Sequence, residues 1–337
     1  MLNKRLYPIR KFASSLSKRN NTILFLYNSF MRWKNKKRFQ REIDSRANLD
    51  LFDYQRLIEP LPYYPIEAIK DSNFYGYVHA IKKYMNSNAP KITIEHGLYL
   101  DDNVSFYSNY KTFDTICTMS DYRLEILRKH GVDKRLMAIG PYIHYATSLL
   151  QEDELAALKK QLGKVVLYMP SHSTNLIDGT SPYFIEEVDT VEKFRAEKGF
   201  DTVIVCVYYR DFQYKKCIEE YQNKGFLITT AGHQLDLNFI NRLKSIIQIS
   251  DYTLSNRIGT NLGFCVYMGK PHIVINDYPE KYSQQLSGYQ VRREIADAFK
   301  DYYPSLTTSQ IEIVNKYWGI NSIKSPDELN AFFNTAI

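Results

Sequence analysis

The chain has 337 residues, 44% of them hydrophobic and 24% charged, with 28 Tyr, 18 Phe and 4 Cys. At about 150 residues per domain this is two domains, each large enough to bury its own core. Disorder, a collagen or coiled-coil rod and a disulfide framework are all excluded. The cysteines (Cys117, Cys206, Cys217, Cys265) are scattered, without a C-x-x-C pair or metal-ligand spacing. Three of them lie in apolar runs, where a thiol packs as a small hydrophobe, so a reducing compartment is expected.

The net charge of +7 is concentrated at one end. Twelve of the 44 Lys/Arg fall within residues 1–41, with no acidic residue among them, which leaves 32 against 37 Asp/Glu elsewhere. Interleaved Leu, Tyr, Phe, Ile and Trp33 make this arm amphipathic, and an anionic inner-membrane surface is its expected partner. Two other readings stay open. One is a basic helix packed on its own domain. The other is nucleic acid, which is not expected, because no helix-turn-helix, RNP or zinc-finger pattern accompanies the charge. Thr22–Met31 is shorter than the about 20 apolar residues a bilayer needs and lacks a small-residue cleavage site. A cytoplasmic protein lying on the inner face of the membrane is expected.

Residues 54–65 (YQRLIEPLPYYP) form a turn-rich stretch, after which strand and helix alternate. Lys91–Glu95 reads as a strand ending at His96-Gly97, and Asp114–Met119 as a second, ending at Ser120-Asp121. A helix over Tyr122–His130 follows, stopped by Gly131, then a third strand over Arg135–Gly140. Gln151–Gly163 is an exposed helix. A second set opens with strand Val165–Met169, helix Val188–Lys198 and strand Thr202–Tyr208. Helix Lys215–Lys224, strand Phe226–Thr230 and helix Asp236–Ile247 come next. A short strand over Gln248–Ser250, helix Ile258–Met268 and strand His272–Asn276 close it. Apolar strands without polar alternation, separated by helices, predict parallel sheets covered on both faces. Two sets predict an α/β protein of two Rossmann-like doubly wound domains facing a cleft. The boundaries are 1–50 for the arm, 51–150, 151–305, and 306–337 for C-terminal helices that pack back on the N-domain.

Ligands of open parallel sheets sit outside the carboxyl ends of the strands. The polar residues expected there are Glu95-His96-Gly97, Ser120-Asp121-Tyr122, Ser171-His172-Ser173-Thr174, Arg210-Asp211, Gly232-His233 and the run Ser250–Thr253 leading to Ser255–Thr260. Ser255–Gly263 (SNRIGTNLG) sets small and hydroxyl residues before a helix, a geometry that offers free N–H groups and a positive dipole end to phosphate. It is neither a P-loop nor a G-x-G-x-x-G fingerprint, and a capped helix eased by Gly263 is the plainer reading. His96 has the chemistry to take a proton from a hydroxyl nucleophile, with Glu95, Asp101 or Asp102 to orient it or serve instead. A buried histidine bonded to backbone is the plainer reading there, and His272, which opens a strand, reads as structural. A G-x-S-x-G elbow is absent, and no metal cluster is spaced for ligation.

The ordered segments HGLYLDD (His96–Asp102), SDYR (Ser120–Arg123), IGPYIHYA (Ile139–Ala146), YMPSHSTN (Tyr168–Asn175) and SDYTLSNRIGTNLGFCVYMGKP (Ser250–Pro271) resemble those of bacterial surface-polysaccharide glycosyltransferases of the GT-B fold. More distantly they are similar to CDP-glycerol glycerophosphotransferases of teichoic acid synthesis. The resemblance covers roughly residues 90–275. It implies an acceptor domain over 51–150 and a nucleotide-donor domain over 151–305. His96 would be the acceptor-activating base, with Glu95 and Asp102 beside it. Ser171, His172, Ser173, Thr174, Arg210, His233, Ser255, Asn256, Gly259 and Thr260 would hold the donor. The glycerophosphotransferase pattern has Trp-Arg-Asp where this chain has His172-Ser173-Thr174, which favours a nucleotide sugar over CDP-glycerol. The implied reaction moves a sugar from a nucleotide-sugar donor to a hydroxyl of a lipid-linked glycan, with no metal and no cofactor. A nucleotide-sugar 2-epimerase, a polyol-phosphate transferase using a CDP-linked donor, and a non-catalytic scaffold of the same fold are the alternatives.

Overall fold

A computed structural model describes residues 21–87, 92–104, 113–172, 185–275 and 288–334. The first element is a 26-residue helix, α1 (Asn21–Arg46). It contains no Gly or Pro, and one face is held by polar side chains. Asn28 donates to the Ala68 carbonyl (3.1 Å) and Asn35 to that of Tyr63 (2.7 Å). The buried Arg46 donates to the carbonyls of Leu57 (3.1 Å) and Glu59 (2.9 Å). Glu59 and Tyr63 belong to the Pro-rich stretch beyond α2, whose irregular backbone has no ladder of its own to satisfy its carbonyls. Phe39 stacks on Tyr64 along the same face, with ring centroids 4.8 Å apart.

The N-terminal half continues through the single turn α2 (Tyr54–Leu57) and α3 (Tyr77–Tyr84) to β1 (Thr115–Thr118), α4 (Asp121–Lys129) and β2 (Arg135–Ala138). β1 and β2 pair in parallel, Thr115 opposite Arg135. The strand expected over Lys91–Glu95 is shorter: only Ile94 pairs, as a parallel bridge to Cys117, while Lys91 lies outside the described residues. Cys117 donates to the Thr93 carbonyl (2.8 Å) and accepts from Glu95 N–H (3.0 Å). Ser120 caps α4 by accepting from Arg123 N–H.

The C-terminal half holds a five-stranded, all-parallel sheet in the order β5-β4-β3-β6-β7. Its elements are α5 (Glu152–Leu162), β3 (Val165–Met169), α6 (Ile185–Lys198), β4 (Thr202–Cys206), α7 (Lys215–Asn223), β5 (Leu227–Thr229), α8 (Phe239–Ile249), β6 (Tyr252–Ser255), α9 (Thr260–Tyr267) and β7 (His272–Val274). The chain winds one way from β3 to β5 and the other way from β6 to β7, so the switch point lies between β3 and β6. β3 is buried along its whole length, as a strand covered by helices on both faces must be.

One element is displaced from its expected place. Residues 248–250 are not a strand: Gln248 and Ile249 complete α8, and the strand that follows is Tyr252–Ser255. Asp251 therefore stands at the amino end of the sheet, exchanging hydrogen bonds of 2.8 Å with the Val165 backbone and pairing with Lys159 at 3.0 Å.

Three helices close the chain: α10 (Tyr289–Phe299), α11 (Thr308–Trp318) and α12 (Pro326–Asn334). Thr307 and Gln310 form a capping box at the start of α11. Beyond it the tail returns to the N-terminal half. Ser322 donates to Asp121 (2.9 Å), Asn330 to the Met85 carbonyl (3.2 Å), and Arg135 to that of Phe332 (2.6 Å). Trp318, fully buried, lies over Gly263 of α9 and donates from Nε1 to the Thr260 carbonyl at 3.1 Å.

Candidate functional site

The carboxyl ends of β3 and β6 carry Ser171 and Asn256 side by side. Asn256, 1% exposed, accepts from Ser171 N–H through Oδ1 at 2.7 Å. Its Nδ2 has no hydrogen-bond partner among the described residues. A buried donor left unmade costs about 1–3 kcal/mol, and a ligand or water oxygen removes that cost. Three residues on is Gly259, which precedes α9 and is extended (φ −156°, ψ −178°) with open space where a side chain would stand. The first N–H groups of α9 thus point out of the sheet at the switch point.

The N-terminal half reaches this helix end through its His96-Gly97 loop. Leu98 N–H donates to Thr260 Oγ1 at 3.0 Å, and a methyl at Gly97 would stand 3.7 Å from the same oxygen. His96 is partly exposed. Its Nδ1 lies 3.3 Å from the Tyr99 hydroxyl and 3.8 Å from Asp71 Oδ2. Asp71 sits on a short turn fixed by Asn73, whose amide accepts from Ile66 N–H (2.6 Å) and Glu67 N–H (2.8 Å) and donates to the Ile69 carbonyl (2.8 Å). With Nδ1 turned toward Asp71 and Tyr99, the imidazole is held from one side.

An aromatic chain joins His96 to the C-terminal half. Tyr75 lies 6.3 Å from His96 and 4.9 Å from Phe239, ring to ring, and is close to Tyr208. Tyr208 donates to Gln234 (3.2 Å) and packs 5.0 Å from the His172 ring. Tyr75 and Gly76 are both left-handed, φ 62° and 66°. Tyr75 N–H donates to the Gln234 carbonyl at 2.7 Å, and a side chain at Gly76 would collide with the Leu237 carbonyl. A non-glycine residue in this conformation persists only where its surroundings demand it, and here both demands come from the 234–237 loop.

His233 is held on that loop. Its Nδ1 accepts from Leu235 N–H at 3.1 Å, which leaves the proton on Nε2. Burial first, then the Arg46 charge, lower its pKa to about 4, so the ring is a neutral donor at neutral pH. Tyr209 packs 4.4 Å from it, and Arg210, exposed, donates to the Tyr209 hydroxyl at 2.9 Å.

Several expected site residues are placed differently. Glu95 is buried in an ion pair with Arg123 (2.9 Å) and accepts from Thr118 Oγ1 at 2.7 Å, so its carboxylate serves the core. Asp102 is exposed, with its charge felt by Tyr122; Asp71 is the carboxylate beside His96. Ser255 is buried and engaged by His272 Nε2 (2.9 Å) and the Arg257 carbonyl (3.0 Å), which makes it part of the β6–β7 junction. Thr260 meets the His96 loop with its hydroxyl. Ser173 and Thr174 lie outside the described residues. His272 is structural as expected: Thr253 Oγ1 lies 2.7 Å from its Nδ1, and full burial pushes its pKa down to about 3. Asp71, Tyr75, Tyr99, Tyr208 and Gln234 escaped the reading of the sequence. Tyr99 lies within the HGLYLDD segment and Tyr208 at the end of an expected strand, but nothing local marked either for the site, and the Tyr75-Gly76 pair carried only a glycine before an amphipathic helix. Among the described residues, no group of three or more His, Cys, Asp or Glu is placed to hold a metal ion.

No family model and no curated protein matches the sequence. Among solved structures, the chain is similar to a variant of the wall teichoic acid polymerase TagF, at 14% identity and a TM-score of 0.47, over 72% of this chain and 67% of that one. In a second structure of TagF it spans 60% of that chain. It is also similar to UDP-GlcNAc 2-epimerase from Neisseria meningitidis bound to UDP-GlcNAc (13% identity, TM-score 0.39, 77% of this chain and 71% of that one). A glycosyltransferase from Rickettsia africae gives 14% identity and a TM-score of 0.36 over 77% and 80% of the two chains. At these scores the likenesses bring no reaction and no residue role to this chain.

Proposed function

We propose that this protein is a glycosyltransferase that moves a sugar from a nucleotide-activated donor to a hydroxyl of a lipid-linked surface glycan, without a resident cofactor or metal. The observation that carries the reading is the docking of the His96 loop on the start of α9 through Leu98 N–H and Thr260 Oγ1. It brings the loop that carries a histidine of proton-transfer chemistry to the first turn of a helix that begins at the switch point of a parallel sheet. The unpartnered Nδ2 of Asn256 supports the same reading.

In this mechanism the acceptor hydroxyl gives its proton to His96 Nε2, while Asp71 and Tyr99 steady the ring from Nδ1. The acceptor oxygen forms its bond to the anomeric carbon. The bond from that carbon to the diphosphate oxygen breaks, and its electron pair leaves with the nucleoside diphosphate. The first N–H groups of α9, Asn256 Nδ2 and the Nε2–H of His233 take up the developing charge. Arg210 and His172, at the rim, meet the nucleotide.

Thermal stability against CMP, CDP, UDP, GDP, ADP and their sugar conjugates tests the donor site. A ligand at 100 times its Kd raises stability by about 2.7 kcal/mol. One nucleotide is expected to shift the melting point in the parent chain and not in Asn256→Ala. A panel without any shift overturns the reading. Release of an epimerised sugar from the donor alone, with no acceptor, would make the chain an epimerase.

A further inference from the structure

Helix α1 packs one face on the body and carries an exposed apolar stripe on the other. Asn28, Asn35, Phe39 and Arg46 hold the inner face to residues 57–68, as described above. On the other side Phe25 is 63% exposed, Leu26 60%, Phe30 52% and Trp33 78%. Among the described residues seven large hydrophobic side chains are exposed, and the four most exposed of them share this helix. Leu26, Phe30 and Trp33 follow one another at i, i+4 and i+7, which stacks them along a single stripe, with Phe25 one step round the helix. Phe30 and Trp33 pack together at 6.1 Å, and Lys34 stands over the Phe30 ring at 5.9 Å. A basic helix packed on its own domain therefore describes the inner face and leaves the outer one unexplained.

Charge identifies the occupant. Between Thr22 and Arg41 the helix carries Arg32, Lys34, Lys36, Lys37, Arg38 and Arg41 and no acidic residue. Lys34, Lys36, Lys37, Arg38 and Arg41 are exposed. Cations around an aromatic wedge match a surface that is anionic outside and apolar a few ångströms below. A protein partner would have to supply both a groove and an acidic rim. No helix among the described residues is long and apolar enough to cross a bilayer, so α1 would lie along the interface rather than through it. At 1.5 Å per residue its 26 residues form a rod of about 39 Å.

We propose that the outer face of α1 docks on an anionic lipid bilayer, with Phe25, Leu26, Phe30 and Trp33 entering the headgroup–acyl boundary and Lys34, Lys36, Lys37 and Arg41 meeting lipid phosphates. This holds whether or not the proposed sugar transfer does, because the docking residues lie on α1 and none of them belongs to the candidate site.

Co-sedimentation of the full chain with vesicles of phosphatidylcholine, alone and with 30% phosphatidylglycerol, is the test. Partitioning is expected to be at least tenfold stronger on the anionic vesicles and to fall as salt rises. Trp33→Ser with Phe30→Ser should weaken it at least tenfold. Lys36→Gln and Lys37→Gln should each weaken it about fivefold. These side chains are exposed, and an unchanged melting point of each variant separates lost binding from lost folding. Vesicles with brominated acyl chains should quench Trp33 and spare the fully buried Trp318. The proposal is overturned by equal partitioning on the two vesicles, by partitioning indifferent to Trp33→Ser with Phe30→Ser, or by Trp33 left unquenched. It is equally overturned if that double variant dissolves a dimer of the parent chain, or if duplex DNA or RNA, and not anionic vesicles, protects Trp33.

Discussion

Gly263→Ala is expected to destabilise the protein, although the same change in an ordinary helix stabilises it. Gly263 lies inside α9, where alanine improves helix propensity by about 1 kcal/mol. Here the added methyl falls within the indole of Trp318, which is fully buried and has no free space to retreat into. Forcing a carbon into a closed core costs about 1–3 kcal/mol. Moving the indole also breaks its Nε1–H bond to the Thr260 carbonyl, worth about 1 kcal/mol. The balance is a net loss of about 1–3 kcal/mol, read as a lower urea midpoint by far-UV circular dichroism. Phe at 318 gives the methyl room, so Gly263→Ala with Trp318→Phe should cost at least about 1 kcal/mol less than the two single changes added. A midpoint that rises in Gly263→Ala would refute the packing of α11 on α9, and with it the bond from Trp318 to the Thr260 carbonyl.

Other changes separate chemistry from scaffolding. His96→Asn should lower sugar transfer by about 10²–10⁴-fold while the melting point and the nucleotide-induced shift stay as in the parent; a variant that keeps its turnover removes His96 as the base. Glu95→Gln should lose about 3–5 kcal/mol of stability, because it leaves the buried Arg123 guanidinium without its counter-charge. If its thermal melt is unchanged and only turnover falls, Glu95 belongs to the reaction after all. His272 and His233 have folded pKa values of about 3 and about 4, below the ordinary 6.5. The unfolded chain therefore binds more protons, so their stabilisation is complete above pH 6.5 and is lost as the pH falls toward those values. The slope is about 1.4 kcal/mol per pH unit for each histidine, and a shallower acid limb in His272→Gln, measured by urea titration from pH 7 to 5, checks it.

Much of the C-terminal half could be read directly. Val165–Met169 is a strand with the predicted limits, because five apolar residues between a helix-stopping Gly163 and Pro170 leave few other states. The failure at 248–250 has a physical cause. α8 is covered on nearly every side, so its last turns show a run of Ile residues instead of a stripe, and periodicity does not separate that from a buried strand. The true strand, Tyr252–Ser255, is half polar because Thr253 and Ser255 turn their hydroxyls to His272. At the candidate site, His96 was legible from its place after a strand. Asp71 was not, since nothing local marks a residue that reaches His96 from 25 positions away. Glu95 misled for a related reason: a carboxylate beside a histidine in sequence points to the opposite side of an extended backbone, here into the core toward Arg123.

The amide of Asn256 bears on how any ligand would be measured by this site. Ser171 N–H is a donor only, so it fixes which end of the amide faces it, and Nδ2 must look the other way. Its position is thus inherited from the backbone leaving β3, although the side chain belongs to the loop leaving β6. At a switch point the neighbouring loops diverge, and the gap between them is otherwise free to change width. One side chain spanning it acts as a gauge, holding both loops and the donor at a set spacing before anything arrives. A ligand atom that accepts from Nδ2 meets a group whose rotameric freedom was surrendered during folding, so that loss is not repeated on binding.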